Sequence, residues 1–413
     1  MELYDLKEEE EQYILVGIQM YDEEPAEESL DELGALARTA GAKVAGRLIQ
    51  SREAVHPVTY IGKGKIEDLK DLLWEQDATG IICDDELSAV QLNNLQNELD
   101  CKVIDRTLLI LDIFAAHAVS SEGKIQVELA QLRYRAARLT GLGNSLSRLG
   151  GGIGTRGPGE KKLETDRRLI RERISRLKRE LKEVEQHREL IRTRRKKSHK
   201  KVAALVGYTS AGKSSIENAL TDAGILEDAM LFSTLDTTTR ALELEGKQQI
   251  LLTDTVGFIR KLPHHLIEAF KSTLEEAKYA DIIIHVVDAS NPQMDTQMHV
   301  VYDTLRQLGV EGKPVITLFN KQDLLLKKKN FRDFHADYTL MASAKTGQGL
   351  EELKAVLSEV IRKDQIYVER IFSFADAGKI QVIRKRGQLL EEEYVPEGIS
   401  VRAYVPKEIY GKI

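Results

Sequence analysis

VAALVGYTSAGKS, from Val202 to Ser214, is the most informative segment of this 413-residue chain for its fold. Its apolar start predicts a buried strand, and the next eight residues match the pattern GxxxxGK[ST], which joins such a strand to a helix. Glycines in this loop let backbone N–H groups surround phosphates, the lysine reaches the β- and γ-phosphates, and the final serine ligates Mg²⁺. A match of this length can arise by chance, so the prediction depends on later motifs. The expected phosphate-binding residues are Gly207, Tyr208, Thr209, Ser210, Ala211, Gly212, Lys213 and Ser214.

A second motif follows the next apolar strand core. Asp254-Thr255-Val256-Gly257 comes directly after that strand, where Asp254 can hold Mg²⁺ through water and the Gly257 amide can contact the γ-phosphate. Lys213, Thr234 and Gly257 are the expected catalytic residues. Ser214, Thr234 and Asp254 are the expected ligands of the metal.

Two motifs further along predict which base is bound. In Asn320-Lys321-Gln322-Asp323, the carboxylate can accept hydrogen bonds from N1–H and the amine of guanine, which adenine cannot offer. Lys321 would stack along the base, and the loop Ser343-Ala344-Lys345 would touch the guanine carbonyl. Because all these motifs follow strands of an open α/β sheet, we expect one site for GTP and its product GDP at the carboxyl ends of the strands.

The segment between the two phosphate motifs is the expected switch. It reads Phe232-Ser233-Thr234-Leu235-Asp236-Thr237-Thr238-Thr239-Arg240, with Thr234 as the predicted Mg²⁺ ligand and Thr238 as the alternative. Without the surrounding motifs, a run of threonines is as well explained by a strand or turn. Phe258 stands where related GTPases carry a glutamine that orients water, so we expect slow hydrolysis that a partner accelerates.

The remaining pattern predicts four parts. Residues 1–122 alternate strand and helix signals and indicate an N-terminal α/β domain, and 123–200 indicate a helical hairpin with a glycine-rich tip and a basic linker. Residues 201–362 are the expected GTP-binding domain, an α/β fold with a mostly parallel sheet and helices on both faces. A small α+β module is expected over 363–413, with strands at 379–383 and 400–405.

Composition narrows the function class. The chain has a net charge of −6, yet residues 160–200 hold 17 Lys and Arg against eight Asp and Glu. No run approaches the roughly 18 apolar residues of a membrane span, and the acidic start does not resemble a signal peptide, so we expect a cytoplasmic protein. Cys83 and Cys101 are too few for a disulfide framework and are expected to be thiols.

Beside these motifs, longer stretches resemble the HflX family of ribosome-associated GTPases. They are YIGKGK at 60–65, DDELS at 84–88, DRTLLILDIFA at 105–115, EGKIQVELAQL at 122–132, LSRLGGGIGTRGPGEKKLETDRR at 146–168 and LLTDTVGFI at 251–259. The resemblance covers nearly the whole chain. It implies binding to the large ribosomal subunit and its RNA, GTP hydrolysis stimulated there, and a role in ribosome dissociation, rescue or biogenesis.

Four positions depart from the family pattern. Ser210 replaces an Asn, Ser215 a Thr, Glu217 a Phe and Thr237 a Pro. Because of the change at Ser210, it stays open whether potassium stimulates the GTPase. The loss of the proline at Thr237 is expected to loosen the switch, because proline restricts the unfolded chain.

The basic hairpin is the expected RNA contact. Lys and Arg bind phosphates without regard to sequence, and glycines allow close approach of the backbone. The expected contacts are Arg148, Arg156, Lys161 and Lys162. On composition alone a solvated helix face is the better explanation of the charge, and the resemblance reverses that preference in favour of RNA.

Two other functions stay open from the sequence. One is an RNA-binding scaffold insensitive to nucleotide, which intact Lys213 and Asp323 disfavour. The other is an ATP-driven RNA-remodelling enzyme, for which the N-terminal region lacks a phosphate loop, since Gly62-Lys63-Gly64-Lys65 fits a simple turn better. We expect a monomer.

Overall fold

The computed structural model describes residues 11–21, 25–146, 158–197, 201–221, 231–232, 238–244, 248–263, 266, 271–327, 329–411 and 413. The chain forms two compact units. The first combines residues up to Glu185 with two short later pieces, around Phe232 and Lys261, and the second holds the rest. Within the described residues, no helix is both long and apolar enough to span a bilayer.

A four-stranded parallel sheet forms the centre of the first unit. Its strands are β1 (Gln12–Gln19), β2 (Lys43–Ser51), β3 (Gly80–Cys83) and β4 (Lys102–Asp105), in the order β2-β1-β3-β4. The inner strands β1 and β3 are buried over their apolar cores, as expected where helices cover a sheet. These helices are α1 (Ala26–Thr39), α2 (Lys63–Glu75), α3 (Ala89–Leu99) and α4 (Arg106–His117).

Side chains define where α3 and α4 begin. The Ser88 hydroxyl accepts from the Gln91 amide while the Gln91 side chain accepts from the Ser88 amide, which together form a capping box. Asp105 accepts from the Leu108 amide at 2.8 Å. Because Asp105 both ends β4 and caps α4, the helix starts without an intervening loop.

A buried ion network stabilises the first unit around Asp84. Arg106, whose side chain is 1% exposed, donates to Asp84 Oδ1 at 2.8 Å and also pairs with Glu32. The other Asp84 oxygen accepts from Ser29 Oγ at 2.7 Å and Lys261 Nζ at 2.5 Å. Both oxygens of this buried carboxylate therefore have donors from the protein itself, which offsets the cost of burying its charge.

Two long helices form the predicted hairpin arms, α5 (Ser121–Leu146) and α6 (Pro158–Lys197). Arg167 of α6 donates to the Leu139 carbonyl of α5 at 2.5 Å, and Arg173 forms two hydrogen bonds with Glu128 at 2.7 and 2.8 Å. Later positions of α6 thus meet earlier positions of α5, so the helices are antiparallel. Leu177 of α6 is buried.

The second unit is built on a six-stranded sheet in the order β10-β9-β8-β5-β7-β6. All neighbouring strands are parallel except the edge pair β6 and β7. The strands are β5 (Val202–Gly207), β6 (Thr239–Glu243), β7 (Gln249–Asp254), β8 (Ile282–Asp288), β9 (Val315–Asn320) and β10 (Tyr338–Met341). The helices are α7 (Lys213–Thr221), α8 (Lys271–Tyr279), α9 (Met294–Gln307) and α10 (Leu350–Lys363), with a 3₁₀ turn at Gln322–Leu324. This is the predicted P-loop fold.

The end of the chain forms a three-stranded antiparallel sheet, where one prediction was wrong. Its elements are β11 (Gln365–Phe372), a 3₁₀ turn (Phe374–Asp376), α11 (Ala377–Arg386), β12 (Gln388–Val395), β13 (Gly398–Pro406) and α12 (Lys407–Tyr410). Residues 379–383, expected to be a strand, lie in α11. Ile380 and Ile383 are both buried and three residues apart, so the short apolar run forms one helix face. The strand expected at 400–405 lies within β13.

Candidate functional site

The phosphate loop runs from the end of β5 to the start of α7, and close packing requires glycine at two of its positions. A Cβ on Gly207 would lie 2.2 Å from the Val286 carbonyl oxygen, and one on Gly212 would lie 2.3 Å from Asn320 Nδ2. Ser210 has a φ of +58°, in the left-handed region that asparagine enters more readily than serine. The loop therefore requires glycine at both positions that the motif specifies.

Lys213 is the buried cation of the site. Its side chain donates to the carbonyls of Gly207 and Tyr208 at 3.2 and 3.0 Å, and the residue is 6% exposed. Burial lowers the pKa of Lys213 to about 8, against the opposing effect of Asp254. Phosphate oxygens would bring the negative charge that favours the protonated lysine.

Two oxygens suited to a magnesium ion meet where β7 ends. Ser214 Oγ donates to Asp254 Oδ2 at 2.7 Å, and Asp254 is 1% exposed. Hydroxyl and carboxylate oxygens are hard ligands, and Mg²⁺ typically takes one or two such protein groups together with phosphates and water. The next residues hold this position, because Thr255 donates to the Leu205 carbonyl at 2.7 Å and Val256 is buried. The donor set fits Mg²⁺.

The loop around Gly257 is joined to the phosphate loop. The Thr209 amide donates to the Phe258 carbonyl at 2.8 Å, and the Phe258 amide donates to the Gly207 carbonyl at 3.1 Å. A Cβ on Gly257 would lie 2.8 Å from Thr209 Cα and 3.0 Å from Lys213 Nζ. Gly257 thus lies directly beside the lysine that the motif assigns to the phosphates. The Phe258 side chain is 1% exposed and has no polar group to orient water.

The motif from Asn320 to Asp323, which is predicted to bind guanine, is hydrogen-bonded to the loop after β10 and to the phosphate loop. Asn320 donates to the Ala211 carbonyl at 2.9 Å and accepts from the Ala344 amide at 3.0 Å. Ser343 Oγ donates to Asp323 Oδ1 at 2.6 Å. Asn320 therefore joins the loops, while the Ser343 hydrogen bond orients the exposed Asp323 carboxylate.

Lys321 and Lys345 complete this side of the site. Lys321 adopts a left-handed φ of +62°, and its Nζ lies 2.7 Å from Asp288 Oδ2 at the end of β8. That ion pair holds the lysine stem beside the Asp323 loop, where a base plane could stack on it. Lys345 is exposed.

Of the expected switch, the structure describes Phe232 and the residues from Thr238, the alternative metal ligand, to Arg240. The Thr238 hydroxyl donates to Glu217 Oε2 at 2.8 Å, and Arg240 Nε lies 3.7 Å from the same oxygen. Burial raises the pKa of Glu217 to about 7, while the Thr238 hydrogen bond opposes this shift. Phe232 packs in the first unit, edge-on to Phe114 with ring centroids 4.7 Å apart. The expected switch residues Ser233, Thr234, Leu235, Asp236 and Thr237 lie outside the described residues.

The expected RNA contacts fall mostly beyond what the structure describes. Arg148 and Arg156 lie outside the described residues. Lys161 and Lys162 belong to the start of α6, where the helix backbone alone is described. Their role stays a prediction.

Comparison with known proteins agrees with this geometry. Residues 27–115 match the family model for the GTP-binding GTPase N-terminal region, 117–195 the model for its middle region, and 202–321 the model described as 50S ribosome-binding GTPase. A GTPase HflX of Lacrimispora saccharolytica is 64% identical over 412 residues, covering 100% of this chain and 97% of that protein. This chain belongs to the HflX family of GTPases.

Other relatives span the same length. A GTPase HflX of Caldanaerobacter subterraneus is 49% identical, over 98% of this chain and 93% of that protein. Among solved structures, a GTP-binding protein from Sulfolobus solfataricus in complex with GDP is 25% identical, with a TM-score of 0.44, over 85% of this chain and 99% of that chain. Membership of the HflX family makes this chain a GTP-binding GTPase, as the nucleotide motifs predicted.

The sequence pattern did not reveal the position of Glu217 in the site. The structure places its carboxylate inside the second unit, where it accepts a hydrogen bond from Thr238 and is 1% exposed. One signal was available: Glu217 lies between Ile216 and Leu220, two apolar residues on the buried face of α7. A charged residue on the buried side of a short helix indicates a specific partner.

Proposed function

We propose that this HflX GTPase binds the large ribosomal subunit in its GTP state and leaves after hydrolysis, as a switch in ribosome dissociation, rescue or biogenesis. The observation that carries the proposal is the antiparallel hairpin of α5 and α6, because residues 160–200, most of them in α6, hold 17 of the basic residues against eight acidic ones. Such a surface attracts RNA phosphates through counterion release. The description of the model matched by residues 202–321 supports the same partner.

For the nucleotide, we propose roles that follow from the geometry above. Lys213 would contact the β- and γ-phosphates, Ser214 and Asp254 would hold Mg²⁺, and Asp323 would accept from guanine. When bound, Mg²⁺ would neutralise charge that develops on the transferred phosphate. Either Thr234 or Thr238 would supply the switch oxygen.

Hydrolysis in isolation is expected to be slow for a structural reason. The Gly257 amide can contact the γ-phosphate, yet the next side chain is the buried Phe258, which has no polar atom. Orientation of the attacking water must come from another group, in the switch or on a partner. A ribosomal subunit that orders the switch or contributes a polar group would therefore increase kcat.

The test is GTP hydrolysis by the purified protein with and without large ribosomal subunits at constant moderate salt. We expect a low basal rate and strong stimulation by the subunit. The informative variant carries Glu at 148, 156, 161 and 162 in place of the four basic residues. It should bind GTP normally and lose stimulation.

The matched control changes four exposed basic residues elsewhere, Lys327, Lys329, Lys385 and Arg386, to Glu. Its net charge equals that of the hairpin variant, so general repulsion from RNA affects both equally. Equal stimulation of the two variants, or no stimulation of the unmodified chain, would contradict the proposal.

The setting and organisation are proposed on the same basis. A protein that acts on ribosomes would lie in the cytoplasm, and the proposed encounter needs one copy of the chain. We also propose that the four sequence-based parts, 1–122, 123–200, 201–362 and 363–413, are the functional divisions.

A further inference from the structure

Glu217 is a buried carboxylate with few partners. It lies on α7, three residues after Ser214, and is 1% exposed. One oxygen accepts from Thr238 Oγ1 at 2.8 Å, and Arg240 Nε lies 3.7 Å from that same oxygen. Among the residues that the structure describes, the other oxygen has no hydrogen-bond partner.

Burying a carboxylate with so few partners lowers the stability of the folded chain, so stability does not explain why Glu217 is buried. A buried carboxylate loses hydration, and here the lost water is replaced by one hydroxyl and one distant guanidinium. An apolar side chain of similar volume would fill the same space without that cost. The burial of Glu217 therefore indicates a task for its hydrogen bond.

Thr238 is held at two points by that bond and by its backbone. Its hydroxyl reaches α7 through Glu217, and its carbonyl accepts from the Asp254 amide at 3.1 Å. Asp254 in turn accepts from Ser214 Oγ at 2.7 Å. The start of β6 is thus connected both to the helix that follows the phosphate loop and to the proposed magnesium ligands.

We propose that Glu217 is a positioning residue for GTP hydrolysis, which holds Thr238 by accepting a hydrogen bond from its hydroxyl and so fixes the end of the switch segment beside the proposed magnesium ligands. The relevant property is an acceptor oxygen at this point on α7. Glutamine keeps that acceptor, and methionine removes it with little change in volume or helix propensity.

The experiment compares Glu217→Met, Glu217→Gln, Thr238→Val and the double variant Glu217→Met/Thr238→Val in the full chain. Single-turnover GTP hydrolysis gives the rate of the chemical step, and a fluorescent GDP analogue gives affinity. We expect Glu217→Met to lower the rate roughly 10- to 100-fold, as for the loss of one hydrogen bond to a charged group. Affinity for GDP should change less than about threefold, and Glu217→Gln should stay near the unmodified rate.

Asp333 supplies a matched control in the same unit. It is 5% exposed and accepts from Thr317 Oγ1 at 2.6 Å, so it is another buried carboxylate bonded to a threonine hydroxyl. Asp333→Asn should lower thermal stability while leaving the hydrolysis rate within about twofold, because it contacts no nucleotide motif.

The double variant decides between positioning and general support. If Glu217 acts through Thr238, the double variant is no slower than the slower single variant. Additive losses, an unchanged rate in Glu217→Met, or a Glu217→Gln rate as low as that of Glu217→Met would each overturn the proposal. Should Glu217→Met not fold, Thr238→Ser and Thr238→Val replace it. The serine keeps the hydroxyl donor and must retain the hydrolysis rate. Equal rates for the serine and valine variants would reject the role proposed for Glu217.

Discussion

Asp84 in the first unit and Glu217 in the second are both buried carboxylates, at 2% and 1% exposure, yet their surroundings differ. Asp84 accepts hydrogen bonds on both oxygens from Ser29, Arg106 and Lys261. Glu217 accepts one hydrogen bond, from Thr238, and burial raises its pKa to about 7. The first carboxylate is satisfied by the protein, and the second is not.

The same contrast separates the two regions around these residues. Near Asp84, opposite charges lie within hydrogen-bonding distance of each other in a network that is closed at the Asp84 carboxylate, since both of its oxygens accept hydrogen bonds. Around the phosphate loop, Lys213 is buried against neutral carbonyls, and Thr209 Oγ1 has no hydrogen-bond partner among the described residues. Buried polar groups that the protein leaves incompletely satisfied indicate a functional role, such as contact with a ligand, whereas a closed network indicates stability.

The largest expected effect concerns nucleotide binding in the second unit. Asp323→Asn should weaken GTP binding by roughly 10³- to 10⁴-fold and favour xanthine nucleotides, because the amide presents a donor where guanine also has donors. Thermal stability should change little, since Asp323 is exposed and its one described bond is to Ser343. Competition between GTP and XTP measures the shift, and unchanged guanine affinity would refute this account of base selection.

Breaking the closed network should instead affect stability. Arg106→Ala leaves Asp84 and Glu32 buried without their guanidinium, and we expect a loss of about 3–5 kcal/mol in the first unit. Hydrogen exchange in peptides from α4 measures that loss. Arg47→Ala, which breaks a pair with Asp31 at 36% side-chain exposure, should cost less than about 1 kcal/mol. Equal exchange in the two variants would show that the network is unimportant.

Lys213→Ala tests the difference between the two regions, because we expect the buried charge of Lys213 to bind a ligand and that of Arg106 to stabilise the fold. Nucleotide affinity should fall about 100-fold, from the loss of one buried charged contact to phosphate. Without nucleotide, the melting temperature should stay the same or rise, since a cation buried against neutral carbonyls is removed. A large fall in stability would place Lys213 with Arg106 as a structural residue.

The smallest effect concerns His285 on β8, which is 1% exposed and packs edge-on to Tyr302 with ring centroids 5.0 Å apart. Burial lowers its pKa from 6.5 to about 4. The unfolded chain therefore takes up a proton below pH 6.5 that the folded chain refuses until about pH 4, so stability falls as the pH drops through this window.

From pH 8 to pH 5 this single group should remove about 2 kcal/mol. Glu217 contributes with the opposite sign, because its raised pKa favours the folded state as the pH falls. Urea unfolding of the chain and of His285→Val at both pH values isolates the histidine. If the pH dependence of the two proteins is identical, His285 is not neutral in the folded state.

Much of this site could be predicted from local sequence. Gly207, Gly212 and Gly257 were predictable because the phosphate motifs that specify them are short, and the structure adds that each leaves room for a neighbouring atom. The error at residues 379–383 has a related cause. In a run of five residues, an alternating apolar pattern and a helical face with buried Ile380 and Ile383 look alike until packing selects one.

The order of strands and helices around the phosphate loop could be predicted from the residues alone, as could the preference for guanine and the antiparallel pairing of two long helices. These follow from periodicity and from motifs whose residues lie close along the chain. The folded chain was needed to reveal that Asp84 is paired from three distant segments, that Asn320 joins two loops, and that Glu217 meets Thr238. Such partners are up to 177 residues apart, and the contacts depend on where the sheets bring their ends together.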